Sequence, residues 1–524
     1  MRRLGSLLFF VGCAACAGRA EPRAPASDVR PTPFTSTERT ASSQARRWWY
    51  DATFYEVFVR SFADADGDGV GDFDGLTAHL DDLTALGVDA LWLMPIHPSP
   101  SYHGYDVVDY RAVHPDYGGD AAFDRFMVAA KQAGLRVVID FVMNHSSTEH
   151  PWFRAARAGP TAPTSDYYLW RDTMPTKGFV RPWDGAPAWH ALGDRYYYAL
   201  FWSGMPDLNL GNPKVEAELV GAMQSWIDRG VDGFRVDAAR HFFETEDGVI
   251  VDAPETFEFV KRIHSKVDAL LIAEAWASVE QVAPYADGFD LAFGFDTAGA
   301  IKTALRDGAR AEIVQTLARA KKTYAPTYEA PFLSNHDMPR VMRTLDDERK
   351  MRVAAALLFA MSGTPFVYYG EEIGMRGGPN PDDRDKRTPM RWTGEAPGFG
   401  FTTGTPWHQA EEVPGVDVAT QRRDPDSLWN LYRRLIALRK EHPAMRGAVE
   451  VHRVGGGRGV IVLEKRLGEE SILFVANVHD GPSEAFTLEH KGEPKALLTE
   501  GIAAPKSWRF DALPPLSFGF FRAD

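Results

Sequence analysis

The sequence predicts an α/β protein built on a closed (β/α)8 TIM barrel, with a lobe inserted after the third strand and an antiparallel β-sandwich at the C-terminus. Three observations carry this reading. Short apolar runs alternate eight times with helix-spaced segments between residues 48 and 440, the alternation of a parallel barrel. The interval between the third and fourth runs is far longer than the ~30 residues of one βαβ unit, which assigns about residues 146–212 to an insertion. From residue 441 the apolar period falls to 2, as in strands with one buried face.

Strands are expected at Phe54–Val59, Ala90–Met94, Arg136–Phe141, Gly233–Asp237, Leu270–Glu274, Phe289–Phe293, Phe332–Asn335 and Pro365–Tyr369. Each is a short, mainly apolar run. Leu76–Leu86, Phe123–Ala133 and Lys214–Asp228 space Leu, Ala and Phe as helices do. Little chain separates the fifth and sixth strands, so their crossover is short, near Val279–Ala286. A last helix over Leu428–Glu441 precedes period-2 runs at Val460–Glu464, Ile472–Val475 and Leu516–Phe520.

The N-terminus reads as an export signal at residues 1–16: Arg2 and Arg3, the apolar run Leu4–Val11, then small residues. Eight apolar residues are too few to span a bilayer. Val11-Gly12-Cys13 resembles a lipoprotein cleavage box, and Ala14-Ala15-Cys16 is a second candidate. The expected location is a periplasmic or outer-surface lipoprotein, or, with an ordinary signal peptide, a secreted protein. Cys13 and Cys16 are the only cysteines, so the body has no disulfides. Residues 17–47, rich in Ala, Pro, Ser, Thr and Arg, read as a flexible linker. Membrane contact is expected only through an N-terminal lipid anchor.

With 58 Lys plus Arg against 72 Asp plus Glu, the chain carries −14, and such a balance repels a phosphate backbone. Nucleic acid is therefore not an expected partner. Acidic residues recur where predicted strands end: Asp140, Asp237, Glu274 and Asp337. In a barrel these positions converge on the C-terminal face. Carboxylates crowded together cannot all ionise at their solution values, and that separation is what acid–base chemistry uses.

Several motifs together resemble the α-amylase family of glycoside hydrolases and transglycosidases (family 13), between its oligo-1,6-glucosidase and neopullulanase groups. They are Asp140-Phe-Val-Met-Asn-His145, Gly233-Phe-Arg-Val-Asp237, Glu274 and Asn335-His-Asp337, with Met205-Pro-Asp-Leu-Asn209 and Gly363-Thr-Pro-Phe-Val-Tyr-Tyr-Gly-Glu371. The resemblance implies Asp237 as nucleophile, Glu274 as general acid/base and Asp337 as transition-state stabiliser. Arg235 matches the arginine that keeps the nucleophile ionised, and Asp140 its structural partner. Tyr105 matches a sugar-stacking aromatic, and His103, His145 and His336 hydroxyl-binding histidines. Trp276 is either a leaving-group contact or core. Asp383 and Arg387 lie where such enzymes bind the terminal sugar.

Asp64, Asp66, Asp68 and Asp72 stand at positions 1, 3, 5 and 9 of a calcium-loop pattern, with Gly69 at position 6. Position 12 is Gly75, which excludes an EF-hand. The resemblance implies one Ca2+ held by these acids and the Val70 carbonyl, and a second at Asn144, Asp207 and the His241 carbonyl. Ala238 after the nucleophile and the Arg240-His241 pair resemble α-1,4-acting members. The expected activity is retaining hydrolysis of α-1,4-glucosidic bonds in starch, maltodextrins or maltooligosaccharides. The alternatives are transglycosylation and an α-1,6-acting oligosaccharide glucosidase. A barrel that only binds sugar is disfavoured because Asp237, Glu274 and Asp337 are all present.

Overall fold

The computed structural model describes residues 47–175, 179–409 and 411–523. The export signal and nearly all of the linker fall outside the described residues. No helix among the described residues is long and apolar enough to cross a membrane.

Eight parallel strands form the central sheet: β1 (Phe54–Val57), β2 (Ala90–Leu93), β3 (Arg136–Phe141), β4 (Gly233–Val236), β5 (Leu270–Ala273), β6 (Leu291–Phe293), β7 (Glu329–Ala330) and β8 (Phe366–Tyr368). They pair in sequence order, with β8 beside β1. The last seam closes where Thr364 N–H donates to Glu329 O at 3.0 Å and Phe366 N–H to Pro331 O at 2.9 Å. Phe54, Trp92, Val138, Ile272, Phe293 and Phe366 share one buried cluster, in which the Phe54 and Phe366 rings stack at 4.3 Å. A second cluster packs the strands' other face against the helices. Both faces are thus covered, which is why these strands read as continuous apolar runs.

Two expectations need correction. The seventh strand is Glu329–Ala330 rather than Phe332–Asn335. Pro331 has no N–H to continue the ladder, and residues 332–335 leave the sheet for a turn in which Asp337 N–H donates to Asn335 Oδ1 at 3.1 Å. The helix expected at Leu76–Leu86 is two helices, Phe73–Ala78 and Leu80–Leu86, separated at His79. At the break His79 leaves helical geometry, with φ −107 and ψ 11, and its ring lies flat on Trp392, 3.6 Å between centroids.

Between β3 and β4 the chain forms a lobe with a three-stranded sheet, Trp170–Arg171, Arg195–Tyr198 and Trp189–Leu192. After the helix Leu428–Glu441 come β9 (Ala448–Val451), β10 (Val460–Leu467), β11 (Glu470–Asn477), β12 (Pro494–Glu500) and β13 (Ser517–Ala523), a five-stranded antiparallel sheet. Alternation along β10 and β11 sends Ile461, Leu463, Ile472 and Phe474 into the barrel-side core. Val460, Val462, Leu473 and Val475 face a two-stranded sheet of Phe486–Thr487 and Arg509–Phe510. That second layer makes the sandwich. β12 is half-exposed and does not alternate cleanly, so its sequence carried no signal.

Candidate active site

Asp140 and Arg235 are register partners on β3 and β4, and Asp237, two residues beyond Arg235, points to the same face. The fully buried Arg235 guanidinium gathers three carboxylates. Its Nη1 donates to Asp140 at 2.9 and 3.1 Å and to Asp237 Oδ1 at 2.6 Å, and its Nη2 lies 3.0 Å from Glu274 Oε2. The Ala238 N–H also donates to Glu274 Oε2, at 2.9 Å. This N–H is aimed by a left-handed residue, Ala238 with φ 51.

One cation cannot hold three carboxylates charged in a buried site. Burial raises the pKa of Glu274, and the charges of Asp237 and Asp337 add to it while Arg235 opposes them. Burial therefore outweighs the neighbouring carboxylates that the sequence alone suggested as the cause. Burial also raises Asp237, but here Arg235 pulls back both by charge and by its hydrogen bond. Asp140 is pushed up to about 7 by burial, against the pull of Arg235.

Asp337 follows the opposite course. Burial opposes its charge, yet His336, 3.1 Å away, and Arg387, donating from Nη2 at 2.9 Å, hold it below the usual carboxylate range. His336 is itself pushed up to about 9: burial resists protonation, but Asp337 and Glu56 surround the ring. Glu56 Oε1 lies 2.6 Å from Nδ1, and the Tyr105 hydroxyl 2.5 Å from Nε2. The Tyr105 hydroxyl also reaches Asp140 Oδ2 at 3.1 Å, and its ring lies nearly parallel to His336.

The remaining residues named from sequence gather around this centre unequally. His103 Nδ1 accepts the Tyr105 N–H at 3.1 Å, and burial lowers its pKa to about 3. His145 is buried and held neutral, pulled down to about 3 by burial, with Nε2 unpartnered. Arg240 is committed elsewhere: it forks onto Asp252 at 2.9 and 2.5 Å and donates to the Trp276 carbonyl at 2.7 Å. Arg240 thus braces two loops. Trp276 is 43% exposed and stacked on Phe295 at 4.8 Å, so its outer face is free of the core. Arg387 belongs to the site through Asp337, whereas Asp383 pairs with Lys386, whose Nζ also donates to the Asp337 carbonyl at 2.9 Å.

Sequence reasoning missed Glu56 and Lys386. Glu56 had a readable signal, a lone acid in the buried apolar strand Phe54–Val57. Lys386 had none for its place in the site, because the Asp337 carbonyl it reaches is 49 residues away.

The acidic loop brings Asp64, Asp66 and Asp72 oxygens within 4.8 Å of one another. Asp68 instead turns Oδ1 to the Val70 N–H at 2.7 Å and is not part of that group. Three hard oxygen donors in a tight loop fit Ca2+. The loop is tied to the 401–407 segment by Asp64 Oδ2, which accepts from Thr402 Oγ1 at 2.5 Å, and by Trp407 N–H on Gly69 O at 2.8 Å. Gly69, with φ +95, is needed here, because a Cβ would lie 2.0 Å from the Thr405 carbonyl. At the second expected position Asn144 Nδ2 donates directly to Asp207 Oδ2 at 2.8 Å. Burial keeps Asp207 well above its ordinary pKa, and His241 turns Nδ1 to the Ile250 carbonyl.

An eight-stranded barrel with paired acids at the ends of β4 and β5, joined by one arginine, defines a barrel-type glycoside hydrolase. The chain belongs to the α-amylase family: residues 56–448 match the family model described as "Alpha amylase, catalytic domain". It is 37% identical to Alpha-amylase 3 of Dictyoglomus thermophilum over 82% of this chain and 85% of that protein. It is 32% identical to the oligo-1,6-glucosidase of Parageobacillus thermoglucosidasius over 76% of this chain and 84% of that protein. Among solved structures, the alpha-amylase from H. orenii superimposes with a TM-score of 0.81 at 34% identity, covering 90% of this chain and 99% of that one.

Proposed function

We propose that this enzyme hydrolyses α-1,4-glucosidic bonds in starch, maltodextrins or maltooligosaccharides by double displacement with retention. The observation that carries it is the shared guanidinium: Arg235 Nη1 on Asp237 Oδ1 at 2.6 Å and Nη2 on Glu274 Oε2 at 3.0 Å. Retaining glycosidases need two carboxyl groups about 5–5.5 Å apart, and adjacent nitrogens of one guanidinium favour that closeness.

In this reading Asp237 attacks the anomeric carbon through Oδ2, since Oδ1 is held by Arg235. Glu274 Oε2 accepts the Ala238 N–H and lies 3.0 Å from the Arg235 guanidinium, so its proton sits on Oε1. From there it passes to the glycosidic oxygen as the bond to the leaving sugar breaks. Glu274 then takes a proton from the water that attacks the same carbon and releases Asp237. Asp337, kept ionised by His336 and Arg387, faces the positive charge that builds on the sugar ring. Tyr105 supplies the stacking surface, and His103 and His145 the hydroxyl contacts, while both ring nitrogens of His336 are taken by Glu56, Tyr105 and Asp337. A Ca2+ at Asp64, Asp66 and Asp72 would neutralise that loop and stiffen it. The N-terminal signal read from the sequence would place the activity outside the cytoplasm.

The small Ala238 beside the nucleophile supports the α-1,4 assignment. The likeness to an oligo-1,6-glucosidase favours α-1,6 bonds as the second reading. Two measurements decide. NMR of fresh product should show the α-anomer before mutarotation, and kcat/KM should be higher for maltotriose than for isomaltose. Initial β-anomer would refute the mechanism, and a preference for isomaltose would refute the linkage.

A further inference from the structure

Arg387 keeps Asp337 charged only while its guanidinium stays in place. The side chain donates from Nη2 to Asp337 Oδ1 at 2.9 Å and from Nε to the His336 carbonyl at 3.0 Å. These bonds fix its tip. Its backbone and its flat face are held by two other residues: the Arg387 carbonyl accepts from Ser61 Oγ at 2.5 Å, and the guanidinium lies over the Tyr102 ring, 5.7 Å from the centroid.

Both holds lead to one indole. Trp407 donates from Nε1 to Ser61 Oγ at 3.1 Å, and its ring stacks on Tyr102 at 5.5 Å between centroids, with 28° between the planes. A serine hydroxyl has one proton to give and also accepts. With Trp407 donating to Oγ, the hydroxyl proton is directed at the Arg387 carbonyl. The indole is itself fixed: its backbone N–H donates to the Gly69 carbonyl at 2.8 Å, Phe58 meets the ring edge-on at 6.1 Å, and Arg60 Cζ lies 5.8 Å from it. Trp407 thus stands between the acidic loop and Arg387 and supports the arginine at its backbone and at its face.

We infer that Trp407 is a positioning residue for catalysis, which acts through Ser61 and Tyr102 to hold Arg387 on Asp337. Electrostatic stabilisation of a transition state needs its charges in place before the new charge develops. An Arg387 left free to swing leaves Asp337 less firmly ionised and aimed, and the loss falls on kcat more than on KM. The inference rests on the reading of Asp337 as the carboxylate that faces the charge building on the sugar ring.

The test measures kcat and KM for maltohexaose in Trp407→Ala and Trp407→Phe, and in Trp407→Ala on an Arg387→Lys background, with fold checked by circular dichroism. Trp407→Ala should lower kcat about tenfold, about 1.4 kcal/mol of barrier, with KM within about twofold of wild type. Trp407→Phe keeps a ring on Tyr102 but has no N–H for Ser61, so its kcat should fall between the two. On the Arg387→Lys background Trp407→Ala should cost less than about threefold, because residues that act through a shared partner are not additive. A wild-type kcat in folded Trp407→Ala, or an undiminished tenfold cost on the Arg387→Lys background, would overturn the inference alone. If Trp407→Ala does not fold, Trp407→Phe decides, and a wild-type kcat there overturns the inference. If the Arg387→Lys background is inactive, the crystal structure of Trp407→Ala decides, and Arg387 Nη2 still within hydrogen-bond distance of Asp337 overturns it. Wild-type protein without turnover of maltohexaose would overturn the α-glucan reading and this inference with it.

Discussion

Glu56 on β1 places Oε1 2.6 Å from Nδ1 of His336, on the loop after β7. The carboxylate is one of two that push His336 up to about 9 against the opposing effect of burial. Glu56→Gln keeps the shape and removes a charge, so the His336 pKa should fall. The His336 imidazolium that faces Asp337 at 3.1 Å is then lost at lower pH, which an NMR titration of the His336 ring in wild type and variant reads directly. An unmoved His336 titration would mean that Glu56 does not hold the imidazolium.

Asp237→Asn should leave the fold intact, because asparagine is nearly isosteric and can still meet Arg235. Turnover should fall by several orders of magnitude. Residual activity within about tenfold of wild type, about 1.4 kcal/mol of barrier, would remove Asp237 from its assigned role. Circular dichroism and thermal melting of the variant separate lost chemistry from lost structure.

Chelator should lower the melting temperature of the native enzyme, because Asp64, Asp66 and Asp72 bring their oxygens within 4.8 Å of one another. An ion that binds only the folded state stabilises it by mass action, and the loop anchors the 401–407 segment through Thr402 and Trp407. Calcium should be found by elemental analysis, and added Ca2+ should restore the melting temperature. Equal melting with and without chelator, together with calcium-free protein, would exclude the site.

Ala238 adopts φ 51 immediately after the nucleophile. The left-handed region costs any residue with a Cβ about 1–2 kcal/mol, and β-branching adds crowding there, so Ala238→Val should melt lower than wild type. Its added bulk beside the leaving-group sugar should move the maltotriose-to-isomaltose ratio of kcat/KM toward isomaltose by roughly 10-fold, the scale of one or two methylenes in a pocket. Ala238→Gly should relieve the strain and keep the α-1,4 preference. A Val variant with an unchanged ratio would show that Ala238 does not set the linkage.

The sequence by itself determined the barrel, because strands buried on both faces must be apolar throughout and the helices between them must show one apolar stripe. It also determined which acids meet. Asp140, Asp237 and Glu274 sit at strand ends, and a parallel barrel brings all such ends to one rim. The seventh strand was misplaced because Phe332 and Leu333 look like strand interior, while the missing N–H of Pro331 ends the ladder before them.

Only the tertiary structure decided how charge is distributed among those acids. Arg235 reaches three carboxylates while Asp337 is held by His336 and Arg387, and such choices depend on ångström separations between residues distant in the chain. Glu56 lies 280 positions from His336, and Asp68 turns to its own backbone while its neighbours converge. Local pattern follows from backbone geometry and burial, which act over a few residues. Electrostatic partnership and ring stacking act through space, and folding alone sets those distances.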